Sequence, residues 1–90
     1  MSDRAVSTPA RSAYRLIVTR TGRSPSFLSA PDRVDHIEIV SVDDGESVLF
    51  WDVAARETSR MEAALRADLE QLDAAAFLER WAGHEPGADA

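Results

Sequence analysis

Large apolar side chains recur along this chain with two different periods, and the change of period separates a strand-forming first half from a helical second half. Between Ala13 and Thr21, Tyr14, Leu16 and Val18 share one parity, while Arg15, Ile17 and Thr19 share the other. β-Branched residues fill the centre of this run, so it reads as a strand with one apolar face. Residues 34–42 (VDHIEIVSV) read as a second strand whose apolar positions change parity, Ile37 and Ile39 first and then Val40 and Val42. A β-bulge near Ile39 and Val40 accounts for that change. A third run, 47–53 (SVLFWDV), carries Val48 and Phe50 on one parity and Leu49, Trp51 and Val53 on the other, which predicts a strand covered on both faces.

The connections differ in kind. Asp43-Asp44-Gly45-Glu46 has the chemistry of a short hairpin loop, because aspartate tolerates turn conformations and Gly45 supplies a positive φ. Residues 21–33 (TGRSPSFLSAPDR) gather Gly22, Pro25, Pro31 and three serines, and therefore read as a loop. Phe27 and Leu28 interrupt its polarity; they either tuck over the end of the core or anchor a partner.

In the second half, at about 100° per residue, Met61, Leu65, Leu69, Leu72 and Ala76 form one amphipathic stripe. Ser59 and Glu62 match a capping box, and the helix is expected to start between positions 54 and 59. Phe77, Leu78 and Trp81 fall on the opposite side of the same helical count. Either the helix breaks near Leu72 and Asp73, with Asp73 as a new N-cap, or its last turns bury their far side in a partner. Gly83 supplies the stop. The pattern predicts an α+β fold: a three-stranded antiparallel β-meander followed by a C-terminal amphipathic helix, broken near Leu72/Asp73 into two. Residues 1–12 are expected to form a disordered N-terminal tail, 13–82 a single domain, and 83–90 a disordered C-terminal tail.

With 44% hydrophobic and 29% charged residues, the composition is that of a globular domain. Ninety residues make only a thin core, so a partner or a second copy would help to bury apolar surface. The absence of cysteine excludes disulfides, thiolate metal sites and thiol nucleophiles. Met1 to Ser12 carries Asp3, Arg4 and Arg11 without an apolar block, so neither a secretory signal nor a membrane span is expected, and the cytoplasm is the expected location. All ten basic residues are arginine, a bias that points to a GC-rich bacterial genome. The net charge of -6 is uneven: six arginines face only Asp3 and Asp32 in residues 1–33, whereas four arginines face fourteen acidic residues in the remainder. Such a split suits a basic arm for an anionic partner, or two parts of one molecule attracting each other.

Candidate chemistry is sparse. His36 and His84 are not at metal-ligand spacing, no serine sits in a Gly-x-Ser-x-Gly elbow, and the four glycines form no phosphate loop. His36, between Asp35 and Glu38, reads as an exposed strand histidine rather than a general base, and the Asp43, Asp44 and Glu46 cluster as turn chemistry rather than a calcium loop. No catalytic residue, cofactor or metal is therefore expected, and the chain reads as a non-enzyme. The surplus of large apolar groups marks Phe27, Leu28, Leu49, Trp51, Val53, Phe77 and Trp81 as the candidate interface of a module that self-associates as a homodimer or docks on a larger protein. Two other readings compete. Arg15, Arg20, Arg23 and Arg33, with Tyr14 and Phe27 for stacking, form a candidate nucleic-acid surface, unless these arginines simply pair with Glu38, Glu46 or Asp52. A small-molecule binder or minor enzyme would need a pocket between sheet and helix that holds His36, Tyr14 or an arginine.

Overall fold

The strand pattern is realised as three antiparallel strands, β1 (Tyr14–Thr19), β2 (Val34–Ser41) and β3 (Ser47–Ala54), lying side by side in that order. The computed structural model describes residues 8–20 and 33–85. A one-turn helix, α1 (Ala10–Ala13), precedes β1, and the helices α2 (Ala55–Gln71) and α3 (Ala74–Ala82) follow β3. No helix among the described residues is long and apolar enough to cross a membrane.

Register decides which side chains share a face. Leu16, Ile39 and Leu49 form one transverse row across the three strands, and Val18, Ile37 and Trp51 form the next. These inner rows meet Met61, Leu65 and Leu69 of α2 and Phe77 and Trp81 of α3, which together make the core. The hairpin joining β2 to β3 turns at Gly45 with φ 73°, the left-handed conformation that glycine adopts without a Cβ penalty. Its entry is fixed by Asp44, whose carboxylate accepts the Glu46 N–H at 2.9 Å.

The bulge lies where the parity change places it, between Ile39 and Val40, but the register gives it a different form. Ile39 pairs with Leu49 and Val40 with Ser47, so Val48 of β3 is the extra residue. Val40 and Val42 do not turn towards the core; Val40 is half-buried on the opposite face, and Val42 is exposed just beyond the strand. The expectation of a β3 covered on both faces is likewise corrected. Leu49, Trp51 and Val53 face the core, whereas Val48 and Phe50 stay 38% and 55% exposed.

α2 starts at Ala55, directly off the last residue of β3, and uses no side-chain cap. The Ser59–Glu62 capping box does not form, because the junction is held otherwise. Ala55 N–H donates to the Arg33 carbonyl at 2.8 Å, and the Thr58 hydroxyl donates to Asp35 Oδ2 at 2.7 Å. Asp35 and Thr58 are both buried, so this bond satisfies a carboxylate that the core would otherwise penalise. The break between the helices falls at Leu72, and Asp73 caps α3 by accepting the Ala76 N–H at 2.8 Å. Gly83 ends α3 with φ −100°, so its stop does not depend on a left-handed backbone.

Both expected tails are shorter than the sequence suggests. Ala10 is fully buried, its N–H donates to the Leu72 carbonyl at 3.0 Å, and Thr8 accepts from Ala74 N–H at 2.8 Å. Residues 8–10 therefore lie against the joint between α2 and α3, where the small side chain of Ala10 fits. At the other end, His84 packs its ring 4.8 Å from Trp81 and accepts a hydrogen bond from Trp51 Nε1 at 3.0 Å. Residues 1–7 and 86–90, the rest of the expected tails, lie outside the described residues.

Ala10→Leu should overpack this joint and destabilise the fold by about 1–3 kcal/mol. Asp73→Ala should lose the cap and cost about 1 kcal/mol. Urea unfolding followed by tryptophan fluorescence measures both, and a neutral Ala10→Leu would show that residues 8–10 do not hold the helical joint.

Candidate interaction surface

Both long helices pack on one side of the sheet, and no described helix covers the other. Register places three transverse rows there: Arg15, Val40 and Ser47, with the bulged Val48 beside them; Ile17, Glu38 and Phe50; Thr19, His36 and Asp52. Val34 extends the face beyond the third row. Ile17, Val34, Val48 and Phe50 are 39%, 41%, 38% and 55% exposed, which makes an uncommon apolar run for a thin domain.

The polar groups on this face divide into paired and unpaired. His36 Nδ1 lies 2.8 Å from Asp52 Oδ1, and the His36 ring stacks on Phe50 at 5.5 Å, so one end of the face is tied together. Glu38 sits at the centre, half-buried between Ile17 and Phe50, with no ion pair to any described residue. A carboxylate partly removed from water by apolar neighbours favours the approach of a cation more than a fully hydrated one does.

The expected interface residues separate sharply. Trp51, Val53, Phe77 and Trp81 are buried in the core of the single chain, and Leu49 packs against it. Phe27 and Leu28 lie outside the described residues. Both tryptophans also satisfy their indole N–H internally, Trp51 on the His84 carbonyl and Trp81 on Asp68 Oδ2 at 2.9 Å. Their rings meet edge to face at 5.8 Å. The exposed large apolar groups among the described residues are instead Ile17, Val34, Val48 and Phe50 on the other parity of the same strands, with Val42 just beyond β2. The alternation marked two faces on each strand, and the polar neighbours Arg15, Thr19, Glu38 and Asp52 were the available sign that this parity faces outward.

The arginines do not assemble into one strip. Arg15 is exposed at the edge of the outer face, Arg20 is bound to Glu62 at 2.9 Å, and Arg33 lies 3.9 Å from the buried Asp35. Arg23 is outside the described residues. Arg20 and Arg33 thus lie by carboxylates of α2 and the start of β2, and no ion pair joins the described arginines of this set to Glu38, Glu46 or Asp52. No group of three metal-ligating side chains comes together among the described residues.

Set against known proteins, the chain matches no family model, no curated protein and no solved structure.

The division between buried and exposed aromatic residues is measurable. Trp51→Ala should destabilise the fold by about 3–5 kcal/mol. Phe50→Ser, on the adjacent position of the same strand, should change stability by less than about 1 kcal/mol. Chemical denaturation of both variants checks this; equal losses would mean that the outer face is structurally covered.

Proposed function

We infer that this chain is a non-enzymatic interaction module that docks on a larger protein through the outer face of its sheet. The partner surface would be apolar and would carry a central arginine or lysine. The observation that carries this reading is the unpaired, half-buried Glu38 set between Ile17 and Phe50. An incoming guanidinium would pair with that carboxylate while lying against the Phe50 ring, and the surrounding Val34, Val40 and Val48 would be removed from water.

Charge favours a different protein over a second copy. Two copies laid face to face about a two-fold axis through the patch centre would bring Glu38 against its own equivalent. Like charges brought together at an interface centre oppose association, and a net charge of -6 on each copy adds long-range repulsion. A basic partner reverses both effects and associates faster at low salt.

Photocrosslinking from a benzophenone amino acid at position 50, in cells that make the chain, identifies the contacting protein and peptide. The purified partner is then titrated calorimetrically against the wild type, Phe50→Ser and Glu38→Arg. The expected result is a crosslinked peptide containing arginine or lysine, a Kd raised at least tenfold by either substitution, and wild-type affinity that weakens with added salt. Crosslinking to a second copy of this chain, or affinity indifferent to both substitutions, would overturn the reading.

A further inference from the structure

A second feature lies on the helical side of the β1 edge. Between α1, β1 and α2 the surface opens into a groove of about 510 Å³, within the range of small-molecule sites. Three arginines border it from three separate elements: Arg11 from α1, Arg15 from the β1 edge and Arg66 from α2. Its apolar lining comes from Leu16 and Leu69, which also contact or belong to the core, and the half-buried Tyr14 adds a phenol.

The charge balance inside the groove is the reverse of that of the whole molecule. Arg66 is engaged by Glu62 at 2.8 Å, and Glu70 lines the same groove. Arg11 and Arg15 have no ion pair with any described residue. Arg56 and Arg60 likewise lack an ion pair among the described residues, but only Arg11 and Arg15 lie beside this apolar depression. Guanidinium groups bind carboxylate and phosphate through paired N–H donors, and an adjacent apolar wall adds affinity for a ligand with an apolar body.

We propose that the groove between α1, β1 and α2 binds a small organic anion, with a carboxylate or phosphate held by Arg11 and Arg15 and an apolar body lying on Leu16, Leu69 and Tyr14. The site is open on one side, so it suits a reversible ligand of modest affinity. It stands on different residues from the docking reading, Arg15 alone bordering both surfaces, so either can fail without the other.

Phenyl phosphate and benzoate separate the two anionic groups, and phenol serves as the uncharged control. Titration of each into the labelled protein, followed by NMR of the arginine Nε–H and tyrosine resonances, reports the site directly. The expected result is saturable movement of Arg11, Arg15 and Tyr14 signals by one or both anions, at least tenfold weaker binding in the Arg11→Gln/Arg15→Gln double variant, and unchanged binding in Phe50→Ser. Both arginines are exposed, and circular dichroism verifies that the double variant is folded. Equal binding of phenol, equal affinity in the double variant, or no movement of these signals would overturn the proposal.

Discussion

A three-stranded sheet has two faces, and among the described residues a helical layer covers only one of them. Burial of one face is unconditional: its rows of Leu16, Ile39 and Leu49 and of Val18, Ile37 and Trp51 meet α2 and α3, and nearly every large core residue lies in that layer. The other face must then be tolerated by water, with Ile17, Val34, Val48 and Phe50 separated by Arg15, Glu38 and the His36–Asp52 pair. That compromise leaves an apolar surface with a charge at its centre, and it is the basis for the docking function proposed above.

The same constraint explains where the aromatic residues went. Thin domains have little core volume, so Trp51, Trp81 and Phe77 are worth most inside, where each removes a large apolar area from water. Burying an indole leaves its N–H to be satisfied, and the fold does this with the His84 carbonyl for Trp51 and the Asp68 carboxylate for Trp81. Asp68 also holds Arg80 at 2.9 Å, so one carboxylate on α2 fixes two side chains of α3. The angle between the two helices is thereby set by polar as well as apolar contacts.

Local signals in the sequence were legible. Strand alternation, the turn at Gly45, the position of the bulge and the Asp73 break all follow from neighbouring residues, and each appears in the structure. What alternation cannot say is which parity faces the helices when both are apolar, as in β3. That is why the alternation marks Leu49, Trp51 and Val53 as interface candidates, although Trp51 and Val53 are buried and Leu49 packs against the core, and does not single out Phe50. The Asp35–Thr58 bond was equally hidden, although Asp35 shares parity with Ile37 and Ile39, and Thr58 lies in helical phase with Met61 and Leu65. Acidic and hydroxyl residues are ordinarily read as exposed, and only their partner across the core shows otherwise. The anchoring of residues 8–10 depends on contacts with residues 72–74, which no local window contains.

Those end-to-end contacts bear on how the chain comes into being. Thr8 and Ala10 bind backbone groups of Leu72 and Ala74, which follow them in the chain only after the whole sheet and α2. The sheet can pair on its own, but residues 8–10 find their partners only once α2 and α3 have formed the joint between them. Contacts so distant in sequence slow folding relative to a helical bundle of equal size.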